Sequence, residues 1–87
     1  MYQVEFCKER LSESGHVIEE EIGRIDYKKE YSEDGRLLSV KIGGNLYGVG
    51  CKFSTKKSAE KAAEEFKKIY EPYPKFYRVT TEVYRVS

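Results

Sequence analysis

The fold is decided by residues 54–70, STKKSAEKAAEEFKKIY, which carry the clearest helical pattern in the chain. Apolar side chains recur there at helical spacing and gather on one stripe: Ala59, Ala62, Ala63, Phe66, Ile69 and Tyr70. A hydroxyl side chain at either of the first two positions can cap the first turn, and two prolines follow the last. We therefore predict one helix that packs on a sheet mainly through its large side chains, Phe66 and Ile69.

Strand-like alternation accounts for most of the remaining chain. Five segments have the period of two that is typical of half-buried strands: residues 2–10, 16–31, 37–42, 47–53 and 76–86. Glycine-containing turn clusters separate the first four of them, which indicates hairpins. These patterns predict a single α+β domain over residues 1–87, with a four- to five-stranded antiparallel sheet in the order β-β-β-β-α-β and one helix packed on one face.

The second segment changes parity in its middle. Ile18 and Ile22 fall on one side, whereas Ile25 and Tyr27 fall on the other. One extra residue in a strand re-aims every side chain after it. We therefore predict a β-bulge near Gly23 that returns the later side chains to the core.

Alternation also predicts which side chains face the helix and which remain on the opposite, open face. The helix-facing set comprises Leu38, Val40 and Ile42, then Tyr47, Val49, Cys51 and Phe53, and finally Tyr77, Val79, Thr81 and Val83. The open face carries Cys7, Glu5 and Glu82. Its candidate binding residues surround a side-chain-free trough and are Lys41, Lys52, Arg78, Tyr84, Gly48 and Gly50.

The net charge of the chain is close to zero, and its sequence shows no membrane or secretory pattern. The chain of 87 residues holds 16 Lys and Arg against 15 Asp and Glu, a net charge of +1. Residues 1–35 carry 5 basic and 10 acidic side chains and residues 36–87 carry 11 and 5, and we expect the halves to neutralise each other in the sheet. No apolar run is long enough for a membrane span and no secretory signal opens the sequence, so we predict a cytoplasmic protein with no membrane partner.

Residues that could carry chemistry stand apart from one another. His16 follows a turn glycine and has no neighbouring nucleophile, and Glu19, Glu20 and Glu21 point alternately to opposite faces of a strand. The two cysteines lack the spacing of a zinc site, and we expect both to be reduced. The sequence therefore predicts no enzyme, no metal and no cofactor.

The abundance of tyrosine favours a protein-binding function, because tyrosine is enriched at recognition surfaces. We predict a small regulatory or inhibitory module that binds a protein partner. In size and layout the chain resembles the compact α+β accessory proteins of phages and archaeal viruses, including some anti-CRISPR proteins, which implies an anti-defence role. The alternative is a nucleic-acid-binding domain, in which Tyr84 stacks on a base while Lys41, Lys52 and Arg78 hold phosphates. A homodimer through an edge strand or the open face is a further option.

Overall fold

The structure, a computed structural model, describes residues 1–46 and 50–86. These residues form one helix and a four-stranded antiparallel sheet with the order β3-β2-β1-β4. The elements are β1 (Tyr2–Leu11), β2 (Val17–Tyr31), β3 (Leu37–Asn45), α1 (Lys56–Tyr70) and β4 (Tyr77–Arg85). The predicted α+β fold with a single covering helix is thus confirmed, and the last strand pairs with the first.

The segment before the helix differs from the expected strand. Tyr47, Gly48 and Val49 lie outside the described residues. Beyond them, Phe53 makes a single antiparallel bridge with Tyr2, and the Cys51 amide donates to the Ile25 carbonyl oxygen at 3.0 Å. Residues 50–53 therefore form a strap that contacts β1 and β2 without joining the ladder of either.

Two of the three predicted hairpin turns are present and are built alike. The third, at residues 43–45, is wrong, because Gly43, Gly44 and Asn45 continue β3 and pair with β2. Gly15 and Gly35 adopt φ values of 84° and 85°, a region that L-residues with a side chain rarely enter. Their amides donate to the carbonyl oxygens of Ser12 and Ser32 at 2.9 and 3.0 Å. Each turn thus reverses the chain over four residues, as the glycines in the two turn clusters predict.

The predicted bulge near Gly23 is wrong. Pairing of β1 with β2 continues through Phe6 and Gly23 without a break, and the register shifts only at the two turn ends of β2. Ile22 therefore stays on the open face opposite Cys7 and is 54% exposed. Gly23 is needed for a different reason, because a Cβ there would collide with the backbone carbonyl oxygen of Asn45.

The helix begins after Thr55, whose side chain accepts a hydrogen bond from the Ser58 amide at 3.1 Å. Its three alanines bring α1 close to the sheet, and the Phe66 ring packs on Phe6 with centroids 4.7 Å apart. The core cluster is Val4, Phe6, Ile25, Phe53, Ala59, Ala62, Ala63 and Phe66. Ile69 is 48% exposed, so its predicted role as an anchor is wrong. It lies at the border of the apolar stripe, which the small alanines make narrow.

Helix α1 lies mainly over β1 and β4. Val79, Val83 and Ile42 pack against the core as alternation predicts. Leu38 and Val40 have the predicted parity but remain 65% and 47% exposed, because α1 does not extend over that end of β3. In the described part of the chain, no helix combines the length and the apolar character that crossing a membrane requires.

Candidate binding surface

The five predicted surface residues that the structure describes do not form one site. Tyr84 and Gly50 are joined through a buried glutamine in a chain of side-chain hydrogen bonds. Arg24 Nε donates to the Tyr84 hydroxyl oxygen at 2.6 Å, and that hydroxyl donates to Gln3 Oε1 at 3.0 Å. Gln3 Nε2 then donates to the Gly50 carbonyl oxygen at 3.1 Å. The Tyr84 hydroxyl therefore ties β4, β1, β2 and the strap together, which is a structural role.

Gly50 is buried rather than part of an open trough. A Cβ at this position would lie 2.5 Å from Arg24 Cβ and 2.8 Å from the Ile25 carbonyl oxygen. The close approach that the glycine permits is thus that of β2 in the same chain, and no side-chain-free surface remains at Gly50. Gly48, the other glycine of the predicted trough, lies outside the described residues.

Arg78 stands on the open face as predicted, but its charge is compensated. Its Nε lies 2.8 Å from Glu9 Oε1 on the neighbouring strand. The hydrogen bond from Arg78 holds the pKa of the Glu9 carboxyl below its usual range. Arg78 and Tyr84 are six residues apart on one strand, a separation of roughly 20 Å. They cannot contact one small ligand together.

Lys41 and Lys52 lie in separate places. Lys41 is exposed on β3 and is the direct cross-strand partner of Lys28 on β2. Like charges in such a pair are destabilising. Neither lysine belongs to an ion pair among residues 1–46 and 50–86. Lys52 is exposed on the strap, between Cys51 and Phe53.

A further surface of the described part of the chain carries five large exposed apolar and aromatic side chains. Arg24 is the last residue of β2 that pairs with β1, and from there β2 continues to Tyr31 and pairs with β3 alone. We call residues 26–41 the hairpin arm. Its large exposed side chains are Tyr27 (44%), Tyr31 (58%), Leu37 (52%), Leu38 (65%) and Val40 (47%). The signal for this overhang was the length of the second alternating segment, residues 16–31, against the first, residues 2–10.

A second apolar surface lies at the opposite end of the sheet. A groove of about 640 Å³ runs between the β1–β2 turn and the loop before β4. Leu11, Ile18, Tyr73 and Phe76 line it, and Ile18 and Phe76 are 56% and 55% exposed. Ile18 reaches this position because the register shift next to Arg10 leaves it without a partner on β1.

A cluster of titratable groups around Lys8 does not suit catalysis. Lys8 Nζ lies 2.8 Å from Glu21 Oε2 and 5.0 Å from the centroid of the Tyr70 ring. Burial acts to lower the pKa of Lys8, but hydrogen bonding to Glu21 and the nearby Tyr70 outweigh it and raise that pKa. An ammonium group held in this way is a poor general base. Among the described residues, no Ser, Thr or Cys side chain lines the adjoining cavity of about 110 Å³.

The two thiols are free and unactivated. Burial raises the pKa of both Cys7 and Cys51, and nearby Glu20 and Glu9 raise that of Cys7 further. Because the thiolate is the reactive form, the raised pKa makes both cysteines less reactive near neutral pH than an ordinary thiol. Within the described ranges, His, Cys, Asp and Glu side chains form no group of three that could hold a metal ion.

Comparison of the chain with protein-family models, with curated proteins and with solved structures finds no match. The assignment of a function therefore depends on the geometry of this chain. That geometry offers exposed apolar and aromatic area on the helix side of the hairpin arm, and on its open face two opposed lysines, Lys28 and Lys41, that form no ion pair among the described residues. Such a combination suits the binding of a macromolecule.

Proposed function

We propose that this protein is a small non-enzymatic binding module that holds a protein partner through its hairpin arm and so regulates or inhibits that partner. The observation that carries the proposal is the exposure of Tyr31, Leu38 and Val40 on an arm that the helix does not cover. Contiguous exposed apolar surface is a mark of interaction sites, and tyrosine is enriched at their energetic centres.

The charges of the arm indicate what kind of partner surface it can bind. Residues 26–41 contain four acidic and four basic side chains, so the arm has no net charge: Asp26, Glu30, Glu33 and Asp34 against Lys28, Lys29, Arg36 and Lys41. The acidic groups cluster toward the turn, whereas three lysines lie near the middle of the arm. Asp34 also forms an ion pair with Arg36, with Oδ2 and Nε 3.5 Å apart. A partner that presents an apolar patch bordered by carboxylates fits this pattern.

The second candidate is a nucleic-acid binder that uses the same arm. One observation favours it: Lys28 and Lys41 oppose each other on the open face, and neither forms an ion pair in the described part of the chain. Phosphates between the lysines would relieve their repulsion. Against this stands the zero net charge of the arm, since phosphate contacts dominate nucleic-acid affinity. Exposed Leu38 would also gain little from contact with a phosphate backbone.

A cytoplasmic location is part of the proposal. Both cysteines are unlinked, as is usual for proteins of reducing compartments.

The proposal can be tested with three baits: the unmodified protein, Leu38→Asp and Phe76→Asp. The two substitutions place the same charge at exposed apolar positions at opposite ends of the sheet. We expect one protein from native extract to be retained by the unmodified protein and by Phe76→Asp, and lost with Leu38→Asp. With that protein purified, Tyr31→Ala should weaken binding at least about tenfold, as measured by calorimetry.

Fluorescent oligonucleotides distinguish the two candidates. For the protein-binding module, anisotropy should report only weak association that disappears near 0.15 M ionic strength, about physiological. Binding that persists there, and that Lys28→Ala and Lys41→Ala each weaken while reducing the salt dependence, would replace the first proposal with the second. Retention of the same partner by Leu38→Asp would refute the arm as the binding surface.

A further inference from the structure

The outer edge of β4 has unpaired backbone groups whose positions can be deduced. The Val86 amide donates to the Met1 carbonyl oxygen at 2.9 Å, and the Leu11 amide donates to the Phe76 carbonyl oxygen at 2.7 Å. Even-numbered residues along this strand thus direct their backbone groups toward β1. Because the direction alternates, the residues that point to the outer edge are Tyr77, Val79, Thr81, Val83 and Arg85. In the described part of the chain, β4 has no strand neighbour on that side.

In the sequence of β4, YRVTTEVYR, compatible side chains stand at equal distances on either side of the central residue, Thr81. Read outward from Thr81, threonine corresponds to glutamate, valine to valine, arginine to tyrosine, and tyrosine to arginine. We infer that two copies of this protein associate by antiparallel pairing of their β4 strands about a two-fold axis at Thr81. The two sheets then become one continuous sheet.

Each side chain meets a compatible partner in this register. On the helix side, Val79 lies opposite Val83 of the second copy, which forms an apolar cross-strand pair. On the open face, Thr80 lies opposite Glu82 of the second copy and can donate a hydrogen bond to it. Arg78 lies opposite Tyr84, where the guanidinium can stack on the ring. No like charges face each other, and all residues of the strand take part.

The backbone groups match as well. The outward residues pair only with outward residues in this register, so opposed residues exchange both N–H···O bonds. Tyr77 is the exception, because its amide already donates to the Tyr73 carbonyl oxygen at 3.1 Å. A two-fold axis that preserves the faces of a sheet is perpendicular to it, and both helices therefore lie on the same side. The helix border above this edge carries both signs of charge, with Lys67 Nζ 3.9 Å from Glu64 Oε1.

This dimer goes beyond the proposed function and does not depend on it. The hairpin arm lies at the other end of the sheet order and stays exposed in the dimer. Loss of partner binding in the arm variants and loss of self-association in β4 variants are therefore separate results.

The first test uses two substitutions at one exposed position. Thr80→Glu places a carboxylate opposite Glu82 of the second copy at two symmetry-related points, whereas Thr80→Lys places an ammonium there. We expect sedimentation equilibrium to give a dimer for the unmodified protein and for Thr80→Lys. Thr80→Glu should have a dissociation constant at least about tenfold above that of Thr80→Lys, with a smaller difference in high salt. A monomer at all concentrations, or equal constants for the two variants, would overturn the inference.

The second test needs no substitution. Amide hydrogen exchange followed by NMR should show protection of Val79, Thr81 and Val83 that increases with protein concentration. Thr80 and Glu82, whose amides point toward β1, are the internal control and should be protected at every concentration. A dimer in which the amides of Val79, Thr81 and Val83 exchange as fast as in dilute solution would exclude pairing through this edge.

Discussion

The two edge strands of the sheet solve the same problem in different ways. An exposed edge is a template for pairing with another chain. Strand β3 has Lys41 at its centre, so antiparallel pairing with a second β3 in full register would set Lys41 against Lys41. Strand β4 has uncharged Thr81 at its centre, and no two like charges stand at equal distances from it. The central lysine of β3 thus disfavours pairing of that edge with a second copy in full register. The central threonine of β4 leaves the other edge compatible with such pairing.

The two edge strands also differ in how far helix α1 covers their apolar side chains. Val79 and Val83 of β4 pack against the core beneath α1. On β3, Val40 and Leu38 point to the same side of the sheet but are largely exposed. Burial therefore stabilises the β4 side, whereas the β3 side keeps apolar area that a partner can cover.

The largest expected effect comes from the covered side. Phe66→Ala should lower the free energy of unfolding by about 3 to 5 kcal/mol, because the buried ring contacts Phe6 and Tyr70 and leaves a cavity when removed. Leu38→Ala on the uncovered arm should change it by less than about 0.5 kcal/mol. Urea denaturation of both variants measures the difference, and comparable losses would mean that Leu38 is buried in solution.

A pair of adjacent glycines in β3 distinguishes its two faces. A Cβ at Gly44 would lie 2.6 Å from Phe6 Cζ, within the packed core, so Gly44→Ala should destabilise the protein by about 1 to 3 kcal/mol. A Cβ at Gly43 would meet the side chain of Lys28 at 2.9 Å, and that flexible chain can move. Thermal melts should therefore show a clear loss for Gly44→Ala and little change for Gly43→Ala. The opposite order would contradict the assignment of faces.

Tyr84→Phe removes the hydroxyl that links Arg24 to Gln3. Gln3 is 5% exposed and would lose a hydrogen-bond donor to its side-chain oxygen, so we expect a loss of about 1 to 2 kcal/mol in the free energy of unfolding. The matched control is Tyr31→Phe on the arm, where an exposed hydroxyl is removed and no change is expected. An unaltered midpoint for Tyr84→Phe in chemical denaturation would rule out the structural role of its hydroxyl.

The smallest effect concerns pH. The pKa of Glu9 is lowered in the folded protein by the hydrogen bond from Arg78, so this pair stabilises the fold above the ordinary carboxyl pKa and ceases to do so as the pH falls through the lowered value. Arg78→Ala should return the Glu9 titration, followed by NMR, to the ordinary range. Arg85→Ala, on the same strand, should leave it unchanged. If the Glu9 titration is identical in all three proteins, the pair does not persist in solution.

Local features could be predicted well because neighbouring residues determine them. The helical stripe predicted residues 54–70 and the helix spans Lys56–Tyr70, since a periodicity of 3.6 depends only on helix geometry. The two turns follow from glycines that tolerate positive φ. Alternation in the last strand correctly predicted that Val79 and Val83 pack against the core.

The candidate site was less predictable because its members lie on different strands. Alternation places Arg78 and Tyr84 on one face, but it gives no information on which residues stand beside them. Glu9 pairs with Arg78, and Gln3 and Arg24 engage the Tyr84 hydroxyl, through contacts between residues far apart in the sequence. The hairpin arm was missed because exposure of Leu38 depends on where the helix lies.

By itself, the sequence determined the helix and its start near Thr55, four of the strands, the turns at Gly15 and Gly35 and the α+β class, because each depends on backbone preferences within a few residues. Only the tertiary structure decided that β4 pairs with β1, that residues 50–53 form a strap, and that α1 leaves the end of β3 uncovered. These outcomes depend on how bulky Phe66 and the small alanines beside it fill one shared core, and no local pattern encodes that volume.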